Sequence, residues 1–171
     1  MQNLYVGVTD SSWLNFLKNH KNELGSQINF WTPGNKVFKA IDPGSLFLFK
    51  LHAQKSKGEK GKIAGGAYFY KFERMQAAKA WENFKFGNGA ASLFEMQSNI
   101  RKYRENNNIA EDNDIGCIIL ENPFFFNEKD YIMPPSDWSP TIVSGKKYDV
   151  SSGTGYELYN EVSIILHDKN N

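Results

Sequence analysis

SLFLFKLH, residues 45–52, decides how the chain is read, because Leu46 and Leu48 alternate with Phe47 and Phe49 to make a strand that is apolar on both faces. Such a strand is central in a sheet or part of a small barrel, since neither face is left for water. Upstream, the turn signal Asp42-Pro43-Gly44 precedes it, and KVFKAI brings Val37, Ala40 and Ile41 into that turn. Further back, NLYVGV (3–8) reads as a strand and TDSSWLNFLKNH (9–20) as a helix, with Thr9 or Asp10 placed to cap it and Trp13, Phe16 and Leu17 on one face. Gly25 ends that segment, and INFW (28–31) is a strand before the turn Thr32-Pro33-Gly34-Asn35.

Downstream, residues 53–62 carry no apolar side chain after Ala53 and read as a mobile loop. IAGGAYFYKF (63–72) is the returning strand, and its Gly65-Gly66 pair costs stability unless a bulge or a close backbone approach needs it. Two helices follow. MQAAKAWENF (75–84) turns Ala77, Ala80, Trp81 and Phe84 inward, and the second is opened by Ser92 and Glu95 with Leu93, Met96, Ile100 and Tyr103 inward. IGCIIL (115–120) is a buried strand, NPFFF (122–126) a strand or edge segment started by Pro123, and residues 133–149 an irregular Pro-rich return. About six strands and three helices result, with the helices gathered between strands rather than alternating with them. That pattern is α+β around a small curved or closed sheet, not a doubly wound α/β sheet. One domain over residues 1–165 is expected, with 166–171 a polar tail.

The chain has 171 residues, 40% of them hydrophobic, which suits one globular core. A single Cys117 excludes an internal disulfide framework, no Cys or His cluster has zinc spacing, and no apolar run reaches membrane length, so the expected compartment is the cytoplasm with no membrane partner. The formal net charge of +1 hides an asymmetry. Between Lys50 and Arg74 stand seven basic residues against two acidic ones, a local excess of five, so the rest of the chain sums to −4. A basic loop between strands can track phosphates without reading sequence, although a solvated hairpin tip gives the same charge pattern. Arg101, Lys102 and Arg104 form a weaker basic set that also fits the polar face of a helix.

Catalytic chemistry is thinly represented. His20, His52 and His167 are scattered, Cys117 sits among branched aliphatics, the Gly65-Gly66 pair lacks the third glycine of a phosphate fingerprint, and Glu111, Asp112 and Asp114 lack a calcium loop's alternation. The aromatic content is richer, with four Trp, eight Tyr and thirteen Phe. Trp31 and Trp138 stand at loop boundaries, where an aromatic ring can stack on a flat base or a methylated cation. Core packing is the competing role for each, and Trp81 falls on an apolar helical row.

Taken in order, YVGVTDSSW, INFWTPG, FKAIDPGSLFLFKLH, IAGGAYF, AWENF with GNGAASLFEM, IGCIILENPFFF and DWSPTIVSGKKYD resemble the N-terminal SRA-like domain of McrA-type HNH modification-dependent restriction endonucleases, and more distantly the EVE branch of the PUA-like superfamily. The resemblance runs from about Tyr5 to Asp149 and implies a PUA-like or SRA-like curved, partly closed β-barrel with flanking helices. It implies a DNA-binding reader of 5-methyl- or 5-hydroxymethylcytosine that flips the base into an aromatic pocket. Trp31 and Tyr68 become candidates to sandwich the base, and Asp10 and Asn29 to bond its Watson–Crick edge, with a helix cap as the competing role of Asp10. Asn88 and Trp138 become pocket-wall or strand contacts, and Lys55, Lys57, Lys60 and Lys62 contact phosphates. Ala67 and Tyr68 depart from the glycine-rich family strand at the place that sets pocket depth.

Nothing in the chain matches an HNH site, so the resemblance puts cutting, and any divalent metal, in a further C-terminal domain. No cofactor is expected in this chain, and the expected partner is duplex DNA containing modified cytosine, with a homodimer as an alternative assembly. An RNA-binding PUA-like or EVE-like module is the second reading, and a small-molecule enzyme or protein-interaction domain the third.

Overall fold

A computed structural model describes residues 1–54 and 60–170, so Lys55 and Lys57 lie outside the described residues. Six strands form one mixed sheet: β1 (Asn3–Thr9), β2 (Gln27–Thr32), β3 (Leu46–Leu51), β4 (Ile63–Gln76), β5 (Asp114–Phe125) and β6 (Gly145–Asp149). Four helices accompany them, α1 (Ser11–Asn19), α2 (Ala77–Phe84), α3 (Leu93–Asn106) and α4 (Gly153–Lys169). The architecture is therefore α+β, as the gathering of helices between strands implies. The strand order is β2-β5-β4-β3-β1-β6, open at β2 and β6. β1 runs parallel to β3 and antiparallel to β6, and the pairs β2–β5 and β3–β4 are antiparallel.

Contacts divide the chain into two compact units, the first being residues 1–10, 40–68 and 124–171, the second 11–39 and 69–123. In the first unit, β3 is buried from Leu46 through Lys50, as a strand apolar on both faces requires. Leu46 and Leu48 join Leu4, Val6, Ile63, Phe126, Ile132 and Tyr148 in one core, onto which α4 lays Leu158 and Val162, one turn apart. The Gly65-Gly66 pair answers to a close approach. A Cβ at Gly66 would lie 2.7 Å from the Phe47 carbonyl and 2.8 Å from the Phe124 ring, and one at Gly65 would collide with the Phe124 carbonyl.

In the second unit, Met75, Ala80, Phe84, Ala90, Met96, Ile100, Ile115, Cys117 and Ile119 form the core, with Trp31, Ala77 and Trp81 packed against it. α1 buries Trp13, Leu14 and Leu17. α3 starts as the sequence suggests: Ser92 Oγ accepts from the Glu95 N–H at 3.1 Å, and the Glu95 carboxylate accepts from the Ala91 N–H at 3.0 Å. Tyr103, expected inward, is 42% exposed near the end of α3, in a T-shaped contact with the Trp31 ring.

Four elements differ from the reading of the sequence, the first being β6, a strand at Gly145–Asp149 inside the stretch read as an irregular return, which pairs with β1. β4 continues to Gln76, so α2 begins only at Ala77. β5 is one strand through Pro123, because Asn122 takes a left-handed φ of 52° that asparagine tolerates and its N–H bonds to the Ser26 carbonyl. α4 was not expected, and it takes in residues 166–169 of the supposed polar tail, where Lys169 Nζ donates to the Phe125 carbonyl at 2.7 Å. Its apolar residues do not keep to one face, since Tyr156 and Ile164 are exposed, so no helical period stands out. No helix among the described residues is long and apolar enough to cross a membrane.

Candidate nucleic-acid interface

Side chains two apart on a strand share a face, so β2 offers Asn29 and Trp31 together. Both meet Asn88, in the tight turn after α2. Asn88 Nδ2 donates to the carbonyls of Ala80, at 3.0 Å, and Lys85, at 2.9 Å, which uses both amide protons. Its Oδ1 is thereby fixed as an acceptor and takes a hydrogen bond from Asn29 Nδ2 at 3.0 Å. The other Asn29 proton goes to Cys117 Sγ at 3.3 Å, and the Trp31 indole N–H donates to the Asn88 carbonyl at 3.2 Å. One acceptor is left over: among the described residues none donates to the buried Asn29 Oδ1, in a residue with no exposed surface. Burial pushes the Cys117 thiol up to about 11, an effect the Asn29 hydrogen bond partly opposes.

The turn that carries Asn88 is strained and tightly fitted. Lys85 sits at φ 47°, ψ −122°, a region that favours glycine, and Asn88 bonds its carbonyl. Gly89 has φ 76° and lies so close to the Trp13 indole that any side chain there would collide with it. The segment GNG thus seats a buried amide against β2, a role beyond the pocket-wall contact expected of Asn88. Trp31 is half-buried and stands edge-on to Tyr103, with ring centroids 6.4 Å apart.

The other expected residues stand in the first unit. Tyr68 is partly buried on β4, 6.1 Å from the Phe124 ring, and its hydroxyl is pushed above the usual range by burial and then by Tyr159. Trp138 packs against the same core, its ring centre 4.9 Å from Lys50 Nζ. The neighbouring Asp137 holds this loop to β6, accepting from Lys146 Nζ at 2.7 Å and from the Tyr148 hydroxyl at 3.0 Å. Asp10 is exposed immediately before α1, where a helix cap stands, and Lys60 and Lys62 are exposed. The structure therefore joins Asn29, Trp31 and Asn88 in one hydrogen-bonded set and gathers Tyr68 and Trp138 on a separate core.

Two cations of the basic sets turn out to be staples. Arg104 donates to the carbonyls of Pro33 (3.2 Å), Asp112 (2.9 Å) and Asp114 (3.0 Å), and Arg74 to the Gly34 carbonyl (2.9 Å) and the Asp112 carboxylate (3.0 Å). Beside them a groove of about 790 Å³ has Ile100 and Ile115 in its lining and the charges of Arg101, Glu105 and Glu111 around them. Lys50 is the residue that sequence reasoning missed. Its charge was counted, but its place in the row Leu46, Leu48, Lys50 was the signal that it is buried. Among the described residues no group of three or more His, Cys, Asp or Glu is placed to hold a metal ion. No known protein-family model matches the chain, and no curated protein matches it.

Proposed function

We propose that this chain is the specificity domain of a modification-dependent restriction endonuclease, a DNA-binding module that reads a modified cytosine by flipping it onto an aromatic surface. The observation that carries the reading is the hydrogen-bonded set on β2: a half-buried indole whose N–H is tied to Asn88, beside an amide oxygen that has no donor among the described residues. A held ring is a stacking platform, and an unfilled acceptor matches the exocyclic amino group of cytosine. Asn29 has no exposed surface, so in the free protein it fixes Asn88 and the indole, and it meets a base only when the side chains over β2 open. The PUA-like or SRA-like curved, partly closed barrel belongs to this reading, as do strand contact by Trp138 and phosphate contacts by Lys55, Lys57, Lys60 and Lys62. Cutting falls to a separate HNH domain.

The test is a binding panel of duplexes that differ only at one cytosine. Tighter binding to the 5-methyl or 5-hydroxymethyl form is expected, by roughly 10- to 200-fold where one methyl group is read in a shaped slot. Trp31→Ala should abolish that preference. Equal affinity across the panel overturns the reading, and competition by single-stranded RNA as strong as by the modified duplex transfers it to RNA.

A further inference from the structure

Lys50 ends the inward row of β3, and only 4% of it is exposed. An ammonium carries three N–H donors, and burying it is costly unless acceptors or a carboxylate meet it. Here Nζ donates to the carbonyl of the next residue, Leu51, at 3.2 Å, and otherwise faces the Trp138 ring at 4.9 Å. Among the described residues it makes no ion pair, and burial holds it below the usual lysine range.

The backbone around it is irregular and closely packed. Gly65 faces Phe49 but Ile63 faces Lys50, so Ala64 is the extra residue of a bulge opposite the lysine. Bulges of this kind re-aim side chains next to binding sites. Gly61 presses so close to the Leu51 carbonyl, the same one Lys50 uses, that any side chain there would collide with it. Lys60 and Lys62 flank that glycine, both exposed and neither in an ion pair among the described residues. The Leu51 N–H bonds the Lys62 carbonyl at 2.9 Å, so the backbones of all three lysines stand at the same end of the β3–β4 pair, and the loop pinned by Asp137 lays an indole over the buried one.

We propose that this corner is a phosphate site in which Lys50, flanked by Lys60 and Lys62, binds one phosphate group, with Trp138 covering the lysine when the site is empty and moving aside when it is filled. The same chemistry serves a phosphodiester of nucleic acid or a free phosphate ion. The inference builds on the phosphate contacts given above to Lys60 and Lys62, and supplies them with a buried anchor.

Two measurements on the same chain test it. The first follows the Trp138 indole N–H resonance, assigned by its loss in Trp138→Phe, as inorganic phosphate replaces chloride at constant ionic strength. The second measures the salt dependence of binding to an unmodified duplex. Lys50→Met should remove the phosphate-induced shift, reduce the salt slope by about one, and leave the melting temperature equal or higher, because an unpaired buried charge is gone. Lys50→Arg should keep both responses.

A response in both arms, or in the duplex arm alone, supports the site with the backbone as its source. A phosphate shift in a chain that binds no DNA supports the site with free phosphate as its ligand while removing the nucleic-acid reading. A Lys50→Met protein that melts lower yet keeps both responses makes the lysine structural and overturns the proposal.

Discussion

At Lys85 the backbone does what a side chain resists, with φ at 47° and ψ at −122°. Strain of this kind costs about 1–3 kcal/mol and persists where surroundings over-determine it, here through Asn88 holding the Lys85 carbonyl. Lys85→Gly should therefore raise stability by about 1 kcal/mol in urea unfolding, the relief of strain exceeding glycine's extra freedom in the unfolded chain. Cys117 belongs to the same network. With its thiol pushed up to about 11, the thiolate is scarce at neutral pH, so thiol reagents should leave the folded chain unmodified at about pH 8 and label it stoichiometrically in denaturant. Asn88 was visible in the sequence as part of GNGA, yet nothing in that spelling says that its amide would reach Ala80 and Lys85 while accepting from Asn29. The bond from Asn29 spans 59 positions of the chain, and only the packed fold brings its two ends together.

Elements differ in how plainly they announce themselves. α3 was legible because its start is a local device, Ser92 and Glu95 satisfying N–H groups that the helix itself leaves free. Ser92→Ala should cost about 1 kcal/mol in thermal or urea unfolding, and Ser92→Asp should cost much less. The loop before β6 depends on a longer-range pair. Lys146 beside Asp137 holds its carboxyl below the usual carboxylate range, so the stability it gives is present above the ordinary carboxylate pKa and is lost as pH falls through the lowered one. The advantage of the native chain over Asp137→Asn should therefore shrink between about pH 6 and about pH 3, and it should be small throughout because the carboxylate is largely in water. α4 escaped the sequence reading for a physical reason: exposed Tyr156 and Ile164 break the amphipathic pattern by which a helix is recognised.

Over the whole molecule, near-neutrality conceals a division of charge. Of the basic stretch from Lys50 to Arg74, Lys71 and Arg74 are engaged with Glu73, at 3.1 Å, and Asp112, at 3.0 Å. That leaves Lys60 and Lys62 as exposed cations without ion pairs among the described residues. The double variant Lys60→Gln, Lys62→Gln should weaken modified and unmodified duplexes alike and lower the salt slope by about two, with the melting temperature unchanged. A change confined to the modified duplex would mean that these lysines read the base rather than the backbone.

The types of β1 to β5 and of α1 to α3, the central place of β3 and the capping of α3 were determined by the sequence alone, because each rests on interactions within a few residues or on which faces are apolar, whereas the crowding that requires Gly65-Gly66 comes from Phe47 and Phe124. The order β2-β5-β4-β3-β1-β6, the role of Asn88, the unfilled acceptor of Asn29 and the burial of Lys50 under Trp138 were decided only in the tertiary structure. Each depends on groups distant in the chain meeting away from water, where an unmatched donor, acceptor or charge acquires a cost that no local pattern records.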